Sequence, residues 1–188
     1  GTTVIDGDIT KLNDIIKASK DQEIIIHLAA KISVEESIKN PSETFQTNVE
    51  GTKNVILACE KNQIKKLIIA SSAAVYGESI LNFKLTEESN VNPISPYGES
   101  KKRMEEIVQN MLIKSKVNYI ILRFFNIYGI GQSPDYAGVI TKFLERIKNN
   151  KTLEIFGDGI QTRDFISIHD VIDSIHSAIT NNKNGIFN

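Results

Sequence analysis

Three continuous apolar runs, each long enough for one strand, constrain the fold of this chain more than any other feature. They read EIIIHLAA (23–30), KKLIIASS (65–72) and VNYIILRFF (117–125), and helical patterns separate them. A strand that is apolar on both faces is typical of a parallel sheet with helices packed on both sides. The spacing therefore predicts an α/β fold built on a doubly wound parallel sheet.

The segments around these runs carry the helical period and shorter strand patterns. Residues 40–63 predict one long helix with Pro41 in its first turn, and a second helix begins at Ser95. Ligands of such sheets bind at the carboxyl ends of the strands, and the polar motifs of this chain lie there. The other predicted elements are a strand TVIDGDI (3–9), a helix at 10–20, a helix around 138–149, a strand FISI (165–168) and a helix from His169.

Composition and charge exclude several classes of protein. The chain has 188 residues and a formal net charge of −1, so no basic excess indicates binding to nucleic acid or to a membrane surface. No apolar run approaches the roughly 20 residues of a membrane span. Cys59 is the single cysteine, which excludes an intrachain disulfide, and its apolar helical setting predicts a core residue. With a single cysteine and no membrane span, we expect a soluble, cytoplasmic protein. We expect no metal site, since no cluster of histidine, cysteine or carboxylate residues has metal-ligand spacing.

The segment SPYGESK (95–101) places Tyr97 and Lys101 four residues apart, on one face of the predicted helix. A tyrosine has an ordinary pKa of about 10, and a nearby ammonium lowers it by stabilising the phenolate. The pair could then move a proton on and off a hydroxyl group. The alternative is a tyrosine packed by its ring beside a lysine that reaches solvent. Ser71 and Ser72 end the strand in SSAAVYG (71–77), and one of their hydroxyls beside the tyrosine would complete a set that handles protons. The alternative is an ordinary pair of serines between a strand and a loop.

A doubly wound sheet with serine, tyrosine and lysine in this arrangement resembles the extended short-chain dehydrogenase/reductases, and within them the NAD-dependent epimerase/dehydratase family. The resemblance covers nearly the whole chain. Any one motif is weak, but their order along the chain is specific. The motifs are DGDI (6–9), HLAA (27–30), TNVEGTKNV (47–55), SSAAVYG (71–77), SPYGESK (95–101), LRFFNIYG (122–129) and LEIFGDGIQTRDFISIHDV (153–171).

The resemblance implies a role for individual residues of these motifs. Ser72, Tyr97 and Lys101 would be catalytic, and Asn48 would organise the site. The residues that would bind the cofactor NAD are Asp8, Ile9, Leu28, Ala29, Ala30, Thr47, Tyr97, Lys101 and Phe125. The residues that would bind a nucleotide-sugar substrate, expected to be a UDP-hexose, are Ser72, Asn126, Val139, Phe156 and Arg163. Lys31 either approaches the cofactor phosphates or, as we favour, is solvated, and we interpret His27 as a core histidine.

Two alanines select among the reactions of the family. The resemblance implies that 4,6-dehydratases of the family carry a pair of acidic residues at the positions that Ala73 and Ala74 occupy here. An alanine side chain cannot exchange a proton. SSAAVYG looks most like the 4-epimerases, above all UDP-glucose 4-epimerase. That likeness implies that Tyr97 takes the proton of the sugar 4-hydroxyl, that hydride passes to and from bound NAD, and that a transient 4-keto sugar turns within the site. Lys101 would bond the nicotinamide ribose, and Ser72 the 4-oxygen.

The sequence departs from the family in one respect. It contains no G-x-x-G-x-x-G motif, the turn that meets the cofactor pyrophosphate. We therefore expect an interior fragment of a Rossmann-type fold that lacks the first two strands, in which TVIDGDI pairs directly with EIIIHLAA. The expected domains are a partial NAD-binding domain (1–125), part of a small nucleotide-sugar-binding lobe (126–168) and a truncated terminal helix with the approach to a strand (169–188).

Three alternatives to a UDP-glucose-type 4-epimerase stay open at this point. One is an inactive fragment or a non-catalytic module that binds a dinucleotide or a nucleotide sugar. A second is another nucleotide-sugar epimerase, and a third is an NADPH-dependent ketoreductase of the same family. The acidic or basic residue that would decide between NAD and NADP lies on a strand that we do not find in the sequence. Dimerisation of the full-length form through helices 41–62 and 95–115 is an expectation from the resemblance.

Overall fold

The computed structural model describes residues 2–78, 84–132, 138–155 and 157–188. Its helices are α1 (Leu12–Ala18), α2 (Val34–Lys39), α3 (Pro41–Phe45), a π-helical turn (Gln46–Glu50), α4 (Gly51–Lys61), a 3₁₀ turn (Ala73–Tyr76), α5 (Pro96–Leu112), α6 (Val139–Lys148) and α7 (Ile168–Thr180). Its strands are β1 (Ile24–His27), β2 (Lys66–Ser72), β3 (Asn118–Phe124), β4 (Asn126–Tyr128), β5 (Phe165–Ser167) and β6 (Gly185–Phe187).

The main sheet is parallel and has the strand order β1-β2-β3-β6. The three apolar runs form its first three neighbouring strands, which confirms the predicted α/β fold with a parallel, Rossmann-like sheet. Strands β4 and β5 form a separate parallel pair in which Asn126 lies opposite Phe165. The division into domains at residues 125 and 168 stays a prediction.

Helices cover both faces of the main sheet, and each face has its own apolar cluster. Helices α4 and α5 pack on one face and α7 on the other. Burial of these side chains is the main favourable contribution to folding. The first cluster comprises Val55, Ile56, Cys59, Ile64, Leu67, Ile69, Met104, Val108, Leu112, Val117 and Ile121, and the second comprises Ile68, Ile120, Leu122 and Ala178. The prediction of Cys59 as a core residue is confirmed.

The predicted strand TVIDGDI (3–9) is wrong. Residues 2–8 lie outside the strands, and Val4 is 92% exposed. The carboxylate of Asp8 accepts a hydrogen bond from the Thr10 N–H (2.8 Å), and the Asp8 N–H donates to the Asp14 carboxylate (3.1 Å). These bonds turn the chain into α1 instead of extending it beside β1. Pairing with EIIIHLAA is therefore wrong as well, since the sole partner of β1 among the described residues is β2.

The long helix predicted over 40–63 is present but not regular. It begins at Pro41 as expected, changes to a π-helical turn over Gln46–Glu50, and continues as α4 from Gly51. A π turn inserts extra chain into a helix, so it shifts the face on which the following side chains point. Such turns frequently occur at functional sites, and this one carries Thr47 and Asn48.

Candidate active site

The first turn of α5 sets the position of Tyr97. The side-chain oxygen of Ser95, just before the helix, accepts a hydrogen bond from the Gly98 N–H (3.1 Å). Gly98 packs directly on the turn that follows β2, because a β-carbon at this position would lie 2.6 Å from the carbonyl oxygen of Ala74. The N-terminus of α5 therefore lies against the end of β2, which carries Ser72.

Two buried serines hold the backbone of Tyr97 on either side. The Tyr97 N–H donates to the side-chain oxygen of Ser37 on α2 (3.1 Å). The Tyr97 carbonyl oxygen accepts from the hydroxyl of Ser100 (2.7 Å), whose oxygen in turn accepts from the Asn48 side-chain amide (2.9 Å). Both serines have no exposed surface. Three segments of the chain thus fix the tyrosine, which limits its freedom to move relative to Ser72.

Burial and Ser72 act on Tyr97 in opposite directions. The tyrosine is buried, and loss of contact with water raises the pKa of its phenol above the ordinary value of 10.0. A hydrogen bond with the Ser72 side chain lowers the same pKa, but burial is the larger effect. Ser72 is half-buried and also accepts a hydrogen bond from the Ala74 N–H (3.2 Å). The structure therefore brings the two hydroxyl groups together as predicted.

Lys101 lies on the buried face of α5, as the sequence pattern predicts. It is 4% exposed, and its Nζ donates to the carbonyl oxygen of Ala70 on β2 (2.9 Å). Burial lowers the pKa of Lys101 from 10.5 to about 8, against an opposing effect of the Glu105 carboxylate. The lysine does not reach solvent, so the interpretation as a solvated side chain does not apply. The ammonium lies 6.0 Å from the centre of the Tyr97 ring.

The expectation that Lys101 lowers the pKa of Tyr97 is wrong for this structure. The pKa of the phenol is raised, and the effects that shift it are burial and Ser72. The geometry gives the reason, because the Lys101 ammonium donates to the Ala70 carbonyl of β2 and not to the phenol oxygen. The phenol is thus the stable form of Tyr97 at neutral pH in the protein alone.

Asn48 joins three parts of the site from the π turn. Its side-chain oxygen accepts from the Lys31 N–H (2.8 Å), and its amide donates to the Lys31 carbonyl (2.9 Å) as well as to Ser100. The segment after β1 is thereby tied to α5 through one buried amide. Thr47, its neighbour, is half-buried. The side chain of Lys31 forms an ion pair with Glu43 (2.7 Å) at the surface, in agreement with the favoured interpretation.

Of the residues predicted to bind a nucleotide sugar, Asn126 lies on β4 and Arg163 lies just before β5, and their described contacts are local. The Asn126 side chain donates to the carbonyl oxygen of Asp164 (2.8 Å). Val139 begins α6 and is 43% exposed, and Arg163 is exposed and donates to the Thr162 carbonyl. Phe156 lies outside the described residues. The structure does not bring these residues into one described cluster with Tyr97.

Comparison with known proteins identifies the family. The profile of the NAD dependent epimerase/dehydratase family matches residues 1–188. The chain belongs to this family. A putative UDP-glucose 4-epimerase of Methanocaldococcus jannaschii is 42% identical over 172 residues, which are 90% of this chain and 55% of that protein. The chain thus spans about half the length of this curated relative.

Two solved structures of epimerases share the fold of this family member. The UDP-glucose 4-epimerase of Thermotoga maritima with UDP-glucose superposes with a TM-score of 0.91 at 32% identity, covering 97% of this chain and 60% of the other. The UDP-N-acetylglucosamine 4-epimerase of Methanobrevibacter ruminantium, in complex with UDP-N-acetylmuramic acid, gives a TM-score of 0.90 at 36% identity. That match covers 98% of this chain and 59% of the other.

Members of the epimerase/dehydratase family bind NAD, and a cavity lies at the end of β1, where the sequence predicts part of the cofactor site. Leu28 and Ala29 are exposed and Ala30 is half-buried, and Leu28 and Ala29 line a cavity at the strand end together with Ile9. The Ile9 carbonyl accepts a hydrogen bond from the Asn54 side chain on α4 (3.0 Å). That these positions bind the adenosine side of a dinucleotide, with Tyr97 and Lys101 toward its other end, stays a prediction.

Phe125 and a buried polar network lie at the ends of β2 and β3. The Phe125 ring packs near the Tyr76 ring (6.5 Å between centres). The sequence analysis missed a buried ion pair between Glu105 and Arg123, which also bonds Ser71 and Tyr76. A signal was present, since Glu105 follows Lys101 by one helical turn and Arg123 interrupts an apolar strand.

Two searches of the described part of the chain are negative. No group of three or more histidine, cysteine or carboxylate side chains within it is arranged to hold a metal ion. No helix in the same residues combines the length and the apolar character that crossing a membrane requires.

Proposed function

We propose that this protein is an NAD-dependent nucleotide-sugar 4-epimerase of the UDP-glucose type. The observation that carries the proposal is the cluster of half-buried Ser72 with buried Tyr97 and Lys101 at the carboxyl end of β2, where a parallel sheet binds its ligands. The 42% identity to a putative UDP-glucose 4-epimerase supports it. A module that only binds its ligand has no use for two adjoining hydroxyls and a buried ammonium.

Each residue of the cluster has a task in this reaction. As a phenolate, the Tyr97 oxygen would take the proton from the sugar 4-hydroxyl and later return it, and Ser72 would donate a hydrogen bond to the same sugar oxygen. Lys101 supplies a buried positive charge 6.0 Å from the centre of the Tyr97 ring, and it would bond the nicotinamide ribose of bound NAD. NAD, when bound, supplies the capacity to accept and return a hydride. Phe125, Thr47 and the end of β1 would hold it.

The residues after Ser72 favour epimerisation over dehydration. Ala73 and Ala74 form the 3₁₀ turn directly after the catalytic serine that we propose. Elimination of water from a hexose needs an additional acid and base near carbons 5 and 6 of the sugar. Two methyl side chains transfer no proton, so this turn lacks the groups that a dehydratase of the family places there.

The test is conversion of UDP-galactose to UDP-glucose by this chain with NAD⁺, followed by chromatography. Tyr97→Phe removes the phenol oxygen, and we expect a loss of about 10²–10⁴-fold, the range for one acid–base group. Tyr119→Phe is the matched control, because Tyr119 lies at the opposite end of β3 and should retain activity. Parallel reactions with UDP-N-acetylglucosamine show whether the enzyme accepts an N-acetyl group at carbon 2 of the sugar.

A non-catalytic dinucleotide-binding module is the second candidate, and the raised pKa of Tyr97 favours it. Calorimetric titration with NAD⁺ separates the two. Binding of NAD⁺ without conversion of any UDP-hexose would contradict the epimerase and support the module. Dimerisation through helices 41–62 and 95–115 and a cytoplasmic location stay predictions.

A further inference from the structure

A buried ion pair lies directly behind the proposed active site. Glu105 on α5 and Arg123 on β3 are each 4% exposed. The guanidinium donates from Nη2 to Oε2 (2.7 Å) and from Nε to Oε1 (3.0 Å), so the contact is bidentate. A buried pair of charges stabilises a fold weakly at best, because apolar side chains of similar volume do as well or better. Its position therefore needs a further explanation.

The Glu105 carboxylate has a third partner that belongs to the site. The hydroxyl of Ser71 donates to Oε1 at 2.5 Å. Ser71 directly precedes Ser72, the last residue of β2. This bond therefore fixes the end of the strand that carries Ser72. Arg123 completes the arrangement by donating to the Tyr76 hydroxyl (2.8 Å) in the turn that follows. The ion pair thus links α5, β2, β3 and the turn after β2 through hydrogen bonds and fixes their relative positions.

Glu105 also acts on Lys101, which lies one helical turn before it on the same face. The effects that shift the lysine pKa are burial, which lowers it, and the Glu105 carboxylate, which raises it. Other titratable groups also face the ammonium. The centre of the Tyr97 ring, on α5, lies 6.0 Å from the Lys101 ammonium. The pKa of His27 on β1 is lowered first by burial and also by the Lys101 charge. Both are neutral at neutral pH, since the pKa of the phenol is raised and that of His27 is lowered to about 4.

We propose that Glu105 is a positioning residue of the site: its carboxylate fixes Ser71 beside Ser72 and keeps Lys101 in its ammonium form. The part of this inference that concerns turnover rests on the proposed function. The part that concerns Lys101 does not, because the charge of a lysine is measurable in the protein without substrate. Glu105 touches neither reacting atom, so its effect is exerted through Ser71 and Lys101.

The test measures the titration of Lys101 by NMR in protein that carries lysine labelled at the ε-carbon. Lys101→Met assigns the signal. In Glu105→Gln we expect the midpoint to fall below the wild-type value near 8 by about one unit, because an adjacent opposite charge is lost. The alkaline limb of the epimerase pH profile should move to lower pH by the same amount. Glu105→Asp, which retains the charge, should restore the Lys101 midpoint.

The matched control is Lys66→Met. Lys66 is buried at the other end of β2 and donates to the carbonyl oxygens of Ala178, Ile179 and Asn181 at the end of α7. Its loss should destabilise the fold and leave the Lys101 midpoint unchanged, which separates global destabilisation from local charge.

An unchanged Lys101 midpoint in folded Glu105→Gln would overturn the proposal, whether or not the protein turns over a sugar. Should Glu105→Gln not fold because Arg123 is left unpaired, Glu105→Gln combined with Arg123→Gln removes both charges. The Lys101 midpoint of that variant is compared with the midpoint of Arg123→Gln alone, and the proposal requires the double variant to have the lower midpoint, since the two proteins differ only in the Glu105 charge. Failure of turnover together with a lowered midpoint would contradict the epimerase and leave the role of Glu105 supported.

Discussion

His27 gives the clearest prediction of how the stability of this fold depends on pH. The ring is 6% exposed at the end of β1, and its Nε2 lies 2.9 Å from the Thr52 hydroxyl oxygen. That hydroxyl donates its own hydrogen to the Asn48 carbonyl (2.7 Å), so the oxygen is left to accept from Nε2–H. Protonation of the ring would place a charge inside the fold near the Lys101 ammonium.

The magnitude follows from the difference between the folded and the unfolded chain. Burial, with a smaller contribution from the Lys101 charge, lowers the pKa of His27 from 6.5 to about 4. Between these values the unfolded chain binds a proton that the folded chain does not, so the free energy of unfolding falls as the pH falls through this window. At about 1.4 kcal/mol per pKa unit, the whole window corresponds to about 3 kcal/mol.

Urea unfolding followed by circular dichroism, in wild type and in His27→Gln, measures this effect. The glutamine amide replaces the Nε2–H donor without a titrating group, and acidic residues common to both chains cancel in the difference. We expect the wild type to lose about 3 kcal/mol more than the variant between neutral pH and pH 4. The control His176→Gln removes an exposed histidine of α7 and should follow wild type. A difference between wild type and His27→Gln that does not vary with pH would refute the reasoning.

Two further predictions concern the packing around the site. Gly77 has φ +75°, and a β-carbon at this position would lie 2.0 Å from the Asn92 carbonyl oxygen. Gly77→Ala should therefore lower the free energy of unfolding, measured by urea titration, by more than about 2 kcal/mol. Gly131→Ala is the control for backbone strain without a steric clash, because Gly131 has φ +88° with open space around it, and an equal loss of stability in both variants would contradict the clash at Gly77. Cys59 has no exposed surface, and burial raises its thiol pKa to about 12. It should react with a disulfide reagent at least tenfold faster in urea than in the folded chain, and equal rates would show that the core around it opens.

The strands and the cluster at their ends were predictable because their signals are local. An apolar run such as 65–72 indicates a buried parallel strand wherever it occurs, and a tyrosine and a lysine four apart share a helix face. The carboxyl ends of parallel strands meet at one edge, which brought Ser72 to Tyr97. The strands and the shared helix face follow from spacing along the chain, whereas the choice of Ser72 as the partner of Tyr97 came from the resemblance to the family.

The remaining features depend on contacts between distant residues. TVIDGDI has a strand pattern, but its Asp8 N–H donates to the Asp14 carboxylate, and the Thr10 N–H that follows donates to the Asp8 carboxylate. The π turn at 46–50 and the pairing of Glu105 with Arg123 likewise require knowledge of which segments lie together. Burial raises the pKa of Tyr97, opposite to the prediction. Sequence spacing places Lys101 near the tyrosine, but it does not show that the ammonium donates to the Ala70 carbonyl.

The distribution of buried polar groups separates the chemistry of this site from its choice of substrate. Within the described residues no buried polar side-chain atom lacks a hydrogen-bond partner, and those of Asn48, Ser100 and Glu105 all converge on the segments that carry Ser72, Tyr97 and Lys101. The residues proposed to meet the nucleotide sugar, such as Arg163, lie by contrast on exposed segments. Under the proposed function, side chains on exposed segments can change with less effect on the reacting centre than side chains of the buried network. We therefore expect substitutions at positions such as Arg163 to alter which UDP-hexose is converted, and substitutions around Tyr97 to alter the rate for every one.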